Sequence, residues 1–360
     1  MPKKIGIVTG GGDCPGLNAV IRAVAKAAAQ RGWETLGFLG GYEGLLEPRR
    51  YLSLDYNAIS GLLLRGGTIL GTANRGKFSA KTGHGEARGL PKKLLDEVKR
   101  GLKALKLHAL VSVGGDGSLS IAQQLFEHGL PIVGVPKTID NDLEGTLFTF
   151  GFDSAVACAT DALDRLHTTA ESHNRVMVLE VMGRYAGWIA LFAGVAGGAD
   201  VILIPELPFN YDRIVAKIRE REGQGKNFTL IIAAEGAREK GGRFVTSAGP
   251  EADREARLGG IGSVVASQLE HRTGKETRAC VLGHLQRGGS PTPFDRTLCS
   301  MFGAHAVELI AAGDFGKMVG WQGTQIGAVK ISEAVGRLKT VRPDGSLVRT
   351  ARALGISLGD

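Results

Sequence analysis

Residues 110–142 read LVSVGGDGSLSIAQQLFEHGLPIVGVPKTIDND. Leu110 to Val113 is a short apolar run of the kind that forms a buried strand. Gly114-Gly115-Asp116-Gly117-Ser118 follows at once, and Ile121 to His128 then carries helix formers with Ile121, Leu125 and Phe126 on one side. A second apolar run, Pro131 to Val135, leads into Pro136-Lys137-Thr138-Ile139-Asp140-Asn141-Asp142. This pattern predicts a βαβ unit with polar chemistry at the C-terminal ends of two parallel strands, where open α/β sheets bind ligands. Glycines let backbone N–H groups approach a phosphate, and a helix N-terminus adds partial positive charge. An acidic residue in such a loop repels phosphate unless a divalent cation intervenes, so Asp116 reads as a Mg²⁺-side carboxylate. Taken alone, GGDG also fits a tight turn with Asp116 as N-cap, and Asp140 and Asp142 also fit as turn residues. The combination at this spacing favours the phosphate reading.

Upstream, Lys4 to Thr9 reads as a strand that runs into Gly10-Gly11-Gly12-Asp13-Cys14-Pro15-Gly16, with a helix from Asn18 to Gln30 behind it. Neither GxGxxG nor the Lys-Ser/Thr ending of a P-loop is present, so a dinucleotide site is a weak reading. A strand follows near Thr35 to Phe38. The third Gly-rich segment, Arg65 to Arg75, includes Asn74 and carries two arginines suited to polyphosphate. Pro91 to Leu105 reads as an amphipathic helix that feeds the central strand.

Downstream, strands and helices alternate: a helix from Ser154 to Ala170, a strand from Arg175 to Met182, the turn from Gly183 to Trp188, a helix from Ile189 to Ala196, and a strand from Asp200 to Pro205. A helix from Tyr211 to Arg221, a strand from Thr229 to Ala234, a helix from Ile261 to Leu269 and a strand from Glu276 to His284 continue the pattern. Residues 237–260, charged and Gly-rich, read as a mobile excursion. The alternation predicts a second parallel α/β domain. Arg175, Arg184, Glu235, Arg278, His284 and Arg287 recur at strand ends. Arginine pairs bidentately with phosphate, while His and Glu suit sugar hydroxyls, so the set points to a phosphorylated, hydroxylated substrate, with structural ion pairs as the bland alternative.

The whole chain has 360 residues, 43% hydrophobic and 22% charged, which suits one large or two modest α/β domains. Its net charge of +8 could suit nucleic acid, but the Lys and Arg are scattered and no nucleic-acid motif stands out; anionic small substrates explain it equally well. The four cysteines, Cys14, Cys158, Cys280 and Cys299, form no CxxC pair and fit a reduced cytoplasmic setting. The opening MPKKIGIVTGGGD has too short an apolar run for a signal peptide, and no apolar run reaches membrane-spanning length.

In this order GGGDCPGLN, RGGTILGT, GGDGS, PKTIDND, EVMGRYAGW, EGA and LGHLQRGGSPTPFDR resemble the 6-phosphofructokinase family, from about Lys4 to about Ala328. The resemblance implies two Rossmann-like three-layer α/β domains with mostly parallel sheets. A phosphoryl-donor domain would hold residues 1–149 and about 290–337, and a fructose 6-phosphate domain would hold 150–289 with the tail 338–360. It implies Mg²⁺-assisted phosphoryl transfer to the 1-hydroxyl of fructose 6-phosphate. Asp140 would be the base, Thr138 and Asp142 would hold the reacting group, and Asp116 would place Mg²⁺. Arg184 and the Gly11-Gly12 backbone would stabilise charge on the transferring group. Asn74, Arg75, Gly117, Ser118 and Lys137 would line the donor. Met182, Gly183, Glu235, His284 and Arg287 would contact the sugar phosphate. Arg175 and Arg278 would reach the neighbouring subunit's substrate, so a homodimer or homotetramer is expected.

Pyrophosphate users in this family typically carry Asp after GGD and Lys before TIDND, and this chain has Gly117 with Lys137. An Asp at 117 would crowd and repel an α-phosphate, whereas Gly leaves room, so ATP is the expected donor and pyrophosphate the alternative. A non-catalytic sugar-phosphate sensor is the third reading, disfavoured by retention of Asp116, Asp140, Asp142 and Arg184. At the family's effector site Arg22 and Lys26 remain basic while Tyr56, Gly61 and His167 stand at other positions, so regulation there is expected to be weak.

Overall fold

A computed structural model describes residues 2–73, 76–78, 89–248 and 257–360. The chain forms two compact units: Met1–Thr138, Leu143–Ser154 and Arg287–Leu338 make the first, and Ile139–Asp142, Ala155–Gln286 and Lys339–Asp360 the second.

The first unit is built on β1 (Lys4–Thr9), β2 (Glu34–Phe38), β3 (Tyr51–Ser53), β4 (Leu107–Gly114) and β5 (Ile132–Pro136), joined later in the chain by β12 (Lys317–Gln322) and β13 (Gln325–Lys330). Their order in the seven-stranded sheet is β13-β12-β5-β4-β1-β2-β3. The five central strands run parallel and only the edges, β3 and β13, are antiparallel. Parallel strands covered on both faces read as unbroken apolar runs, which is why Ile5, Ile7, Val8, Leu110, Val111 and Val113 are all fully buried. Val8 and Leu110 share a core with Leu94, Val98 and Leu102 of α2 (Lys92–Ala104) and with Leu119 and Leu125 of α3 (Asp116–Glu127). Side chains alternate along a strand, so Ile7 and Val111 point to the opposite face. There α1 (Leu17–Ala29) packs on α8 (Pro293–Ala312) so closely that a Cβ on Gly303 would stand 2.5 Å from that of Ala23.

The second unit has a four-stranded, all-parallel sheet in the order β11-β6-β8-β7. Its strands are β6 (Val176–Val181), β7 (Val201–Leu203), β8 (Thr229–Ala234) and β11 (Thr277–Val281). Val178, Leu203 and Ile231 pack with Ile214 and Ile218 of α6 (Tyr211–Gly223) and with Val265 and Leu269 of α7 (Ile261–Thr273). On the other face Gly194 of α5 (Trp188–Ala196) lies where a Cβ would meet Ile202 at 2.6 Å and Ile232 at 2.8 Å. Each unit is therefore a three-layer α/β sandwich, as expected from the alternation of strands and helices.

Several boundaries differ from the sequence reading. α3 begins at Asp116 rather than Ile121, because GGDG is itself the start of the helix, with Gly115 as N-cap. α4 (Phe152–His173) is longer than the Ser154–Ala170 reading. β11 stops at Val281, and Gly283, at φ 50°, turns the chain into a short 3-10 segment over Gly283–Arg287. Within 237–260, where a mobile excursion was expected, β9 (Thr246–Ala248) pairs antiparallel with β10 (Arg257–Leu258). α9 (Ile331–Ala334) and α10 (Ser346–Ala353) complete the helices among the described residues. The tail closes the open edge of β7, since Ile202 N–H donates to Ser357 O at 2.9 Å and Ser357 N–H donates to Asp200 O at 3.0 Å.

Candidate active site

In the first unit the three glycine-rich segments meet at the C-terminal ends of β1 and β4. Gly10 N–H donates to Val113 O at 2.9 Å, so the β1–α1 loop rests on the neighbouring strand. Thr9 Oγ1 donates to Gly71 O at 2.8 Å and Thr72 Oγ1 donates to Gly11 O. Asn18, buried at the start of α1, donates to Gly66 O at 3.0 Å and Arg65 O at 3.2 Å and accepts from Ile69 N–H at 2.8 Å. Segment 65–72 is thereby pinned to the first loop. Asn74 and Arg75, expected at the donor, lie outside the described residues.

The β4–α3 turn completes this loop cluster. Tyr42 Oη donates to Ser118 O at 2.8 Å, and a Cβ on Gly10 would stand 2.5 Å from Ser118 Oγ, so Gly10 is needed for the close approach. Asp116 occupies the first turn of α3 and its Oδ1 accepts from Gly336 N–H at 3.0 Å. A Cβ on Gly117 would meet nothing within 4 Å. Gly114 pairs with Pro136 across the β4–β5 ladder, and Lys137 N–H donates to Gly114 O at 2.9 Å. Lys137 is buried and its Nζ donates to Gly12 O; Thr138 O accepts from Thr149 Oγ1 at 2.7 Å.

Arg287, read from sequence as a sugar-phosphate contact of the second half, belongs to the first unit. Its Nη1 donates to Asp13 O at 3.1 Å, and a Cβ on Gly12 would stand 2.9 Å from the guanidinium. Two cationic side chains therefore converge on the Gly12-Asp13 backbone. Burial pushes the Cys14 thiol up to about 12, which leaves it a packing residue.

The second unit presents side chains instead. Asp140 and Asn141 are buried, and Asn141 adopts φ 52° in the left-handed region. Arg184, also left-handed at φ 47°, follows Met182 and Gly183 at the end of β6, and its N–H donates to Glu235 Oε1 at 3.1 Å. Glu235 sits just past β8. Burial first and the Asp140 charge second push its carboxyl up to about 7, against the opposing pull of the Arg184 N–H and guanidinium. Asp140, Arg184 and Glu235 are thus brought together.

Arg175 and Arg278 meet at Glu276: Arg175 Nε lies 2.8 Å from one carboxylate oxygen and Arg278 Nη2 lies 2.6 Å from the other. Arg175 holds the Glu276 carboxyl below its ordinary range. His284 is exposed on the 3-10 segment.

Sequence reading missed Glu180, whose buried carboxylate takes Gly260 N–H at 2.9 Å and Gly262 N–H at 2.7 Å at the start of α7. It also missed Gly336 on Asp116. Their partners lie 80 and 220 residues away in sequence, so no local signal could have found them. Among the described residues no group of three or more His, Cys, Asp or Glu side chains is arranged to hold a metal. No helix among them is long and apolar enough to cross a membrane.

The phosphofructokinase family model matches residues 4–310. The chain is 54% identical over 361 residues to the ATP-dependent 6-phosphofructokinase of Chloroflexus aurantiacus, covering 99% of this chain and 98% of that one. It is 48% identical over 344 residues to the pyrophosphate–fructose 6-phosphate 1-phosphotransferase of Amycolatopsis methanolica, covering 95% and 97%. Among solved structures it resembles Pichia pastoris phosphofructokinase in the T-state, with a TM-score of 0.81 and 31% identity, covering 93% of this chain and 35% of that longer chain. The chain belongs to the phosphofructokinase family.

Proposed function

We propose that this chain is an ATP-dependent 6-phosphofructokinase of the cytoplasm, transferring the γ-phosphoryl of ATP to the 1-hydroxyl of fructose 6-phosphate. The observation that carries this reading is the pairing of Gly114 with Pro136, which puts the GGDG turn and the PKTIDND turn at adjacent ends of parallel strands. The first unit's loops hold the donor: backbone N–H groups of Gly11 and Gly12 and of the α3 start face phosphate, with Ser118 beneath. Lys137 and Arg287 orient that backbone through Gly12 O and Asp13 O. The second unit's side chains hold the sugar. Asp140 accepts the proton of the 1-hydroxyl as its oxygen bonds to the γ-phosphorus and the bond to the ADP oxygen breaks. Thr138 and Asp142 orient the reacting group, and Arg184 offsets charge on the transferring phosphoryl. Met182, Gly183, Glu235 and His284 contact the sugar. Such chemistry needs positioning and electrostatics more than covalent steps.

Mg²⁺ fits Asp116: a single carboxylate in the first turn of a helix, with phosphates and waters completing the shell, is a normal Mg²⁺ arrangement. Bound there, it would screen the charge on the donor phosphates. A homodimer or homotetramer is part of the proposal, with Arg175 and Arg278 serving the neighbouring subunit's sugar phosphate. Both are partly exposed around Glu276, at 29% and 53% of their side-chain surface.

The second reading is pyrophosphate as donor. Lys137 is the mark of that reading, because pyrophosphate users in the family typically carry Lys before TIDND, although its ammonium can offset phosphate charge with either donor. Open space at Gly117 favours ATP, since a bulkier nucleotide needs that room. Turnover of fructose 6-phosphate with ATP and with pyrophosphate, side by side, decides between them. Activity with ATP at least tenfold above pyrophosphate is expected, and the reverse ratio would overturn the donor assignment.

A further inference from the structure

Lys339, in a tail segment with no motif of its own, is bonded to the turn that carries Asp140. Its Nζ donates to Asn141 Oδ1 at 2.9 Å and its backbone N–H donates to Asp142 O at 2.9 Å. Its carbonyl accepts from Trp188 Nε1 at 2.8 Å, and the ammonium lies 5.9 Å from the centre of the Trp188 ring. Two residues on, Val341 N–H donates to Glu206 Oε1 at 2.7 Å. The same carboxylate accepts from Gly187 N–H at 3.0 and 3.1 Å, at the end of the loop that carries Arg184.

Asn141 is where this matters most. It is 2% exposed, stands between two aspartates, and holds φ 52°, a backbone conformation that costs energy and persists only where the surroundings enforce it. Asparagine tolerates that region better than most residues, but its side chain must still be fixed if the neighbouring Asp140 is to keep one direction. Lys339 fixes it, and brings a positive charge to a turn with two carboxylates.

We propose that Lys339 is a positioning residue for the phosphoryl transfer, acting through Asn141 on the direction of Asp140, with residues 339–341 as the shared mount of that turn and the 183–187 loop. The inference rests on the reading of Asp140 as the base. Lys339→Met removes Nζ and leaves both backbone hydrogen bonds intact. It is expected to lower kcat about ten- to a hundredfold, the scale of a small misplacement of a reacting group. KM for both substrates should stay within about twofold, because the change acts through Asn141 on the direction of Asp140. Lys339→Arg should recover most of the loss, and Lys339→Gln reads the same kcat–KM split if the Met variant does not fold.

A merely structural lysine is distinguished by a double-mutant cycle. Asn141→Gly tolerates the left-handed backbone and deletes Oδ1; on that background Lys339→Met should have little further effect on kcat. Losses that multiply independently would overturn the route through Asn141. Wild-type kcat in Lys339→Met, alongside a collapsed Asp140→Ser, would overturn the inference and leave the function reading intact. A wild-type chain inactive on fructose 6-phosphate with either donor would instead sink the function reading.

Discussion

The two units build their polar surfaces from different material. In the first, the loops at the ends of β1 and β4 are backbone: Gly10, Gly11, Gly12, Gly114, Gly115 and Gly117, with side chains such as Asn18, Thr72 and Lys137 bonded to carbonyls beneath them. In the second, the equivalent strand ends carry Arg184, Glu235 and, nearby, Asp140, and their interactions run through carboxylates and guanidinium groups. A backbone surface has a fixed partial charge and does not titrate, and any added Cβ alters it. A side-chain surface titrates and can be removed one group at a time. Donor selection should therefore respond to bulk at glycine positions, and proton transfer and pH dependence to single substitutions in the second unit.

The largest expected effect tests the side-chain surface at its centre. Asp140→Ser should lower kcat by about two to four decades, the usual worth of a general base, with substrate KM little changed. Steady-state kinetics on folded protein check it, and near wild-type turnover would remove Asp140 from the mechanism.

Gly117→Asp tests the backbone surface. A Cβ at that position meets no protein atom within 4 Å, and an acid in the first turn of a helix is not itself destabilising. The cost falls on the donor. A carboxylate beside a phosphate group costs several kcal/mol, so kcat/KM for ATP should fall by about two decades or more. Stability should move by about 0.5 kcal/mol or less. The ratio of ATP to pyrophosphate activity before and after substitution is the measurement. Unchanged ATP use would mean that the donor does not pass this glycine.

How much of this was legible in the sequence follows the same division. The backbone surface was legible, because glycine clusters after short apolar runs are local signals and the turn chemistry lies within a few residues of them. Asp116 was read as a loop residue when it already belongs to α3, a small error of the kind that a glycine N-cap invites. Charged strand-end residues were legible as types but not as partners. Nothing local to Arg175, Arg278 and Glu276 shows that they share one cluster, and nothing local to Arg287 shows that its guanidinium bonds to Asp13 O, 274 residues away. The β12–β13 hairpin, turning at Gly323 and Thr324, went unread, since β12 contributes only short apolar stretches broken by Gly320 and Gln322. Glu206 and Lys339 were invisible, their contacts being made across 135 and 198 residues.

A smaller effect concerns pH. Glu235 has a carboxyl raised from 4.5 to about 7 in the folded chain. A raised folded value means that the protonated form is favoured on folding. Its contribution to stability is fully present below about 4.5, and is lost as pH rises through about 7. Glu235→Gln should flatten that part of the stability profile, by about 1–3 kcal/mol between pH 5 and pH 8, given roughly 1.4 kcal/mol per pKa unit. Urea midpoints of both proteins at the two pH values measure it. Parallel profiles would mean that Glu235 is not the titrating group and that the second unit's side-chain surface does not titrate there.

The smallest expected effect is on regulation. A polyphosphate effector site needs several cations acting together, because each exposed contact is weak alone. Here Arg22 and Lys26 remain on α1, while Tyr56 is a 79% exposed phenol and Gly61, at φ 71°, offers no side chain. His167 is exposed, and its ring stands edge-on to Phe228 with centroids 5.1 Å apart. Millimolar phosphoenolpyruvate or ADP should therefore shift the half-saturation for fructose 6-phosphate by less than about twofold, below the roughly fivefold at which allosteric coupling ordinarily begins. Saturation curves with and without each compound test this. A large cooperative shift that disappears in Arg22→Ala would show that two remaining cations suffice, and that effector binding at this site survives the loss of the other charged positions.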